Sequence, residues 1–281
     1  MARVGANQTR LLLKELLRIS PAMVLARIVV IARNVFLEVI RDRILYLIAL
    51  FALLMVAASF LLPEVSAGAQ DKITLDLGLA GIHLLSVIVA VFVGTGLVNK
   101  EIEKRTVLVL IAKPVSRAEF LIGKHLGLSA VLAVLIAALA AIFLAIVAFN
   151  GIEFPLQSVL LSIGFMFLEV VLLTAVAILF GVFTSSLLAT LLTFATYLMG
   201  HLTQDLVALG ELSENPALQR VTNGLFLVLP DLERLNLRNE AIYGMQLLPD
   251  SMTLLSNVLY ALIYTALLLT IAILIFSRRQ F

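Results

Sequence analysis

The sequence predicts an all-α integral membrane protein, and three observations carry that prediction. The 281 residues are 62% apolar and only 14% charged, with a mean hydropathy of +1.12; soluble domains run at roughly 45–50% apolar and about 25% charged. Six apolar stretches are each long enough to cross a hydrocarbon core of about 30 Å, which takes roughly 20 helical residues. The alternation of apolar and polar residues over about ten positions that marks a barrel strand does not occur.

Taken in chain order, residues 1–43 form a cytoplasmic and interfacial N-terminal region, and 44–281 a six-helix transmembrane domain. The first 43 residues carry eight basic side chains and no apolar core ending in small residues, so no cleavable leader is expected. Between about Met23 and Arg43, the polar residues Arg27, Asn34, Glu38 and Arg41 recur at spacings of seven, four and three. They form one stripe on an otherwise apolar helix. Such a helix lies in the membrane plane as an elbow leading into the first span, with a soluble arm docked on a partner as the alternative. The spans are Ile44–Leu62, Leu77–Val98, Leu126–Phe149, Val159–Phe183, Leu187–Leu206 and Met252–Phe276.

Basic residues resist translocation and so set orientation. With the N-terminus inside, eight Lys and Arg precede span 1, six lie between spans 2 and 3, and two follow span 6, against four on the outside. Both termini are therefore expected in the cytoplasm, with the protein a multi-pass component of the cell (inner or plasma) membrane. Residues 207–251 form a long external segment. Asn215-Pro216 there fits a helix cap followed by a first-turn proline, and Phe226–Pro230 is a short apolar run ended by proline, so short external helices are expected.

The loop from Asn99 to Lys124 is the most informative stretch. Glu101 and Arg105 stand four apart in the favourable helical order, and Thr106–Ala112 is an apolar run too short to span a bilayer. That run needs another surface to bury against. Pro114 biases Lys113 away from helix, and Ser116-Arg-Ala-Glu119 has capping-box spacing, so a new helix should open at Arg117 and run into span 3. A short helix, a break and a recapped helix at the cytoplasmic surface suit a docking element for a soluble partner; the alternative is a solvated charge run.

Here the sequence resembles the permease subunits of ABC-2 type transporters. The matching residues are Glu101, Glu103, Arg105, Thr106, Leu110, Pro114-Val115-Ser116-Arg117, Glu119 and Gly123-Lys124, although many members carry glycine at the position of Arg105. The likeness extends in order and spacing to all six spans. It is nearest to the subfamily linked to maturation of copper-containing enzymes. The resemblance implies that Glu101, Glu103, Arg105, Thr106, Leu108, Leu110, Pro114 and Arg117 belong to a coupling helix that inserts into a groove of an ATP-binding subunit. It also implies a second permease copy, identical or not, and an external lid or gate between spans 5 and 6. ATP and Mg²⁺ would be held by the partner: Gly123-Lys124-His125 lacks both the upstream glycine and the hydroxyl of a phosphate-binding loop.

Polar residues inside the spans are the other candidates. Glu169, near the middle of span 4, costs roughly 2.5–3.5 kcal/mol on insertion scales unless paired or hydrated, so it faces protein or water. It marks either a transport path or gate, or a hydrogen-bonded tie between helices. In span 5, Thr190, Thr193, Tyr197, His201 and Gln204 share one face, which either lines a pathway or packs. His201 and Asp205 stand four apart, but two ligands without a third make a weak metal site, and no metal is expected. His83 and His125 are isolated. Span 3 carries Ser129, Ala133, Ala137, Ala141 and Ala145, a small-residue seam that serves packing within the bundle or between copies.

Other function classes are disfavoured. A net charge of +2 argues against nucleic-acid binding, and the absence of cysteine excludes disulfides and thiol chemistry. No catalytic constellation is visible, so no enzyme activity is expected of this chain. The leading expectation is an ATP-driven permease, with membrane lipid as its surroundings. A proton-coupled carrier using Glu169 and a non-transporting assembly factor are the alternatives.

Overall fold

The computed structural model describes residues 21–41, 44–65, 68–103, 115–213 and 215–278. Among them the regular elements are all helical: α1 (Pro21–Arg41), α2 (Ile44–Val65), α3 (Gln70–Glu103), α4 (Arg117–Phe149), α5 (Leu156–Phe183), α6 (Ser186–Leu212), α7 (Pro216–Val228), a 3-10 turn (Glu233–Leu235), α8 (Arg238–Ala241) and α9 (Ser251–Arg278). Six of these, α2 to α6 and α9, are long and apolar enough to cross a membrane. Each contains one of the six apolar stretches.

Helices α3, α4 and α5 form the centre. Gly78 of α3 meets the Phe143 ring near the far end of α4, while Gly94 meets Leu128 near its start, so α3 and α4 run antiparallel. Gly94 also faces Ala177, and Gly181 faces the Thr95 carbonyl, which sets α3 and α5 parallel. The core fills this wedge with Leu79, Ile82, Leu132, Leu139, Phe143, Met166 and Leu173, all essentially inaccessible. Helices α2, α6 and α9 are peripheral and leave large apolar side chains outward, among them Phe60, Leu191, Phe194 and Ile263. An apolar exterior over an apolar core is what a bilayer solvent selects.

The small-residue row on α4 divides between core and surface. Ser129 is buried, but Ala133, Ala137, Ala141 and Ala145 are exposed. The seam is not internal packing of this bundle beyond its first residue.

Local signals set the start of α4. Ser116 Oγ accepts from the Glu119 amide at 3.1 Å, and Glu119 Oε2 accepts from the Ser116 amide at 2.9 Å, the reciprocal pairing read from the sequence. Residue Arg117 donates to the carbonyls of Phe276 and Ser277, at the closing turn of α9, where a cation complements the helix dipole. Lys124 pairs with Glu101, joining α4 to the last turn of α3. Glu101 and Glu103 thus end α3 and Arg117 opens α4. Residues Arg105, Thr106, Leu108, Leu110 and Pro114 lie outside the described residues.

Helix α1 tracks the base of α4. Arg27 pairs with Glu119 at 3.7 Å, Gly123 abuts Ile31, and Gly127 abuts Ala32 and Val35. Both partners advance by about four residues at each contact, so the two helices run side by side in the same direction for about two turns. The approach is close because Gly127 has no side chain: a Cβ there would lie 2.6 Å from the Ala32 carbonyl oxygen.

Candidate functional site

The connection between α6 and α9 is not a surface loop. Asn215 caps α7 by accepting from the Ala217 amide, with Pro216 in the first turn, as its sequence predicts. After α7 the chain turns back into the bundle. Leu232, Leu235 and Leu237, spaced among charged residues, are all buried. The Leu232 amide donates to the Gly200 carbonyl at 3.0 Å, and Gly200 admits the chain because a Cβ there would meet Leu232 and the Pro230 carbonyl at 2.8 Å. Gly200 lies twelve residues inside the end of α6 at Leu212, a depth of about 18 Å. The re-entering backbone is tied on every side. The Asp231 amide donates to the Tyr260 hydroxyl oxygen at 2.8 Å, Asn257 Nδ2 donates to the Arg234 carbonyl, the Tyr264 hydroxyl to the Val228 carbonyl and the Ser158 hydroxyl to the Ala241 carbonyl. Backbone away from a regular helix is tolerated at membrane depth only where protein satisfies it in this way.

Beneath this segment sits a cluster of ionisable side chains from three spans. Glu169 of α5 is 1% exposed, and its Oε1 lies 2.9 Å from Nε2 of His83 on α3 and 2.9 Å from Nε2 of His201 on α6. The connection supplies the outer partners. Arg238 Nη1 donates to His83 Nδ1 at 2.7 Å, and Glu233 Oε2 lies 3.0 Å from His201 Nδ1. Tyr197 closes one side, its ring centroid 4.9 Å from that of His201 and 5.9 Å from that of His83.

These contacts assign the protons. Arginine can only donate, so His83 accepts at Nδ1 and donates from Nε2 to Glu169, which makes it a neutral ring. His201 faces a carboxylate oxygen at each nitrogen and satisfies both only by donating from both, as an imidazolium. Two carboxylates, one guanidinium and one imidazolium then balance to zero charge, which is how ionic groups persist in an apolar setting. Glu233 lies outside the spans, and the hydrogen bond from His201 holds its carboxyl below the usual carboxylate range. The second oxygen of Glu169, Oε2, is buried without a hydrogen-bond partner.

The site brings together some of the residues the sequence pointed to and separates others. Glu169, Tyr197 and His201 meet here. Thr190 lies nearer the start of α6, its hydroxyl 3.0 Å from that of Thr95 on α3, and the buried Thr193 donates to the Ala189 carbonyl of its own helix. The polar face of α6 therefore turns inward against α3, α5 and the connection. Asp205 is exposed, and His201 turns its nitrogens to Glu169 and Glu233 instead. His83, isolated in the sequence, is central, between Glu169 and Arg238. Arg238 and Glu233 were missed as site residues, although the Leu232-Leu235-Leu237 alternation among charges signals burial of the segment that carries them.

A helical bundle of six candidate spans, with a charge-balanced ionic cluster at its centre and a re-entrant segment over it, defines a polytopic membrane protein. The chain belongs to the ABC-2 family of transporter proteins, whose sequence model matches residues 29–281. No curated protein matches it. Family membership makes the chain a membrane component of an ABC transporter.

Proposed function

We propose that this chain is the permease subunit of an ATP-driven transporter, working with a second permease copy and with separate subunits that bind ATP and Mg²⁺. Both termini and residues 99–124 face the cytoplasm of the cell membrane in this reading, and the α6–α9 connection faces outward. Within the family, we assign it to the permeases linked to maturation of copper-containing enzymes, on the likeness of the 99–124 loop and span order.

The observation that carries the proposal is the length and bracing of α3 and α4. At 34 and 33 residues each is about 50 Å long, well beyond a hydrocarbon core of about 30 Å. Their surplus turns flank residues 104–114, where Leu108 and Leu110 would enter the ATPase groove. Lys124 with Glu101, Arg27 with Glu119 and Arg117 on the end of α9 brace that base into one unit with α1. In this reading α1 begins at the cytoplasmic membrane boundary and runs alongside the base of α4 rather than across it, which departs from an elbow lying in the membrane plane.

Coupling then follows from one rigid element. α3 carries Glu101 at the docking base and His83 in the ionic cluster, eighteen residues and about 27 Å apart. Closure of the ATPases shifts α3 against the connection, drawing His83 from Arg238 and opening the outward side. Glu169 serves as the internal tie of this gate. A proton-coupled carrier is the second reading, favoured by the His201–Glu169 contact alone.

Replacing both Leu108 and Leu110 with aspartate tests the docking. The variant should insert normally but lose the co-purifying ATPase in mild detergent; undiminished recovery of that subunit would remove the docking assignment. Transport in vesicles holding this chain alone, with no nucleotide, would favour the carrier.

A further inference from the structure

The cluster has the donor set of a metal site that is blocked at one point. His83 Nε2, His201 Nε2 and a Glu169 carboxylate oxygen all lie within 4.8 Å of one another. Two imidazoles and one carboxylate make a tridentate set that leaves a position open on zinc-type ions. The Glu169 carboxylate also has its unpartnered, buried Oε2, so it has acceptor capacity that the protein leaves unused.

The surroundings of the two histidines differ in a decisive way. A metal on Nε2 requires the other ring nitrogen to carry hydrogen and to donate it. His201 meets this requirement, because its Nδ1 faces the Glu233 carboxylate. His83 does not, because its Nδ1 faces Arg238, which has only hydrogens to offer. With Arg238 seated, the His83 Nε2 lone pair is not free for a metal. Arg238 belongs to none of the spans; it sits on one-turn α8 in the connection.

A cation also has a route. A cavity of about 570 Å³ in the connection is lined by Asp231, Glu233 and Glu240, with Arg234 as the one cation among its described lining residues, and Glu240 Oε2 is buried there without a hydrogen-bond partner. Glu233 belongs to this cavity and to the cluster, linking the two.

We propose that His83, Glu169 and His201 bind a divalent transition metal of the zinc class, and that Arg238 masks the site, so that metal binding and the seating of Arg238 on His83 exclude each other. This rests on the lid reading of the connection but not on the ATPase. Arg238 is the switch: withdrawn, it converts a proton-filled tie into a ligand set, and an ion arriving there holds the connection open.

The test uses the full chain in detergent micelles, titrated with Co²⁺ alone as a spectroscopic stand-in for zinc. In Arg238→Gln the amide oxygen accepts from His83 Nδ1, which reverses the mismatch. This variant should bind one Co²⁺ about tenfold or more tightly than the unmodified chain, with the visible bands of a four-coordinate ion. Adding His83→Gln or His201→Gln should abolish those bands. Equal affinity of Arg238→Gln and the unmodified chain, or bands that survive loss of either histidine, would overturn the site. A second measurement keeps the lid separate and needs no change at Arg238. Zn²⁺ should speed maleimide labelling of a cysteine placed at Leu237, because the effect of lid on metal and of metal on lid is reciprocal. Co²⁺ bound by Arg238→Gln, with Leu237→Cys labelling indifferent to Zn²⁺, would retain the ligand set and overturn the masking.

Discussion

Arg238 donates from Nη1 to Nδ1 of His83 at 2.7 Å, although 155 residues separate them in sequence and only His83 belongs to a span. That one contact sets the tautomer of His83, and through it the direction of the His83–Glu169 hydrogen bond beneath. It also couples a chain segment between spans to the longest helix of the bundle.

Removing the guanidinium should loosen the connection. Arg238→Met leaves a buried ring nitrogen without its charged donor, a loss of about 1.5 kcal/mol or more for a hydrogen bond to a charged group. That corresponds to roughly tenfold more of the locally open form. The chain has no cysteine, so Leu237→Cys, at a position 4% exposed, gives a single labelling site. Labelling with a membrane-impermeant maleimide should be about tenfold faster with Arg238→Met than without. Equal rates would mean the contact does not hold the segment down.

Glu169 separates a structural tie from a dispensable charge. Glu169→Leu strands two buried N–H donors, those of His83 and His201, and leaves the imidazolium beside Arg238 with Glu233 alone; breaking a buried pair in this way costs roughly 3–5 kcal/mol. Glu169→Gln keeps one accepting oxygen and should cost roughly 1–3 kcal/mol. Thermal unfolding of the detergent-solubilised chain should therefore rank the unmodified protein above Gln and Gln above Leu. If Leu is as stable as Gln, the carboxylate is not a tie.

What was legible in the sequence follows the range of the interaction. The six spans depend on hydropathy summed over roughly 20 residues, and the Ser116–Glu119 and Asn215–Pro216 caps on neighbours within three residues, so both were readable. The partner of Glu169 was not, because His83 is 86 positions away and nothing in either span fixes which faces meet. The i,i+4 relation of His201 and Asp205 was true helical spacing, but packing turned His201 in to Glu169 and Glu233 and left Asp205 exposed. The alanine row of α4 left two alternatives open for a similar reason: small residues permit close approach but do not say from which side. The re-entry itself depended on Gly200 accepting the Leu232 amide, a contact between segments that each look ordinary alone.

Two glycines in neighbouring helices should respond oppositely to the same change. At Gly127 a Cβ would press on the Ala32 carbonyl and on Val35 Cβ, at 2.6 and 2.7 Å, and a backbone atom cannot swing away. Gly127→Ala should therefore push α1 from α4 and destabilise by roughly 1–3 kcal/mol. At Gly164 on α5 nothing lies within 4 Å, so Gly164→Ala should be neutral, or stabilising by up to about 1 kcal/mol from helix propensity. Melting temperatures of the two variants, measured side by side, check both. A harmless Gly127→Ala would show that α1 does not pack closely there.

Asp250 offers a test of pH dependence away from the bundle. It precedes α9, and its carboxylate accepts from the Thr253 hydroxyl and from the amides of Met252 and Thr253. The Thr253 bonds hold its carboxyl below the usual aspartate range. A carboxyl lowered in the folded state stabilises above its unfolded value, near 3.8, and that contribution disappears as pH falls through the lower folded value. The first turn of α9 should thus keep constant amide protection factors from neutral pH down to the ordinary aspartate range, then lose protection below it. In Asp250→Ala protection should be low throughout, with no step on acidification. A step of the same size in the alanine variant would assign the titration to another group.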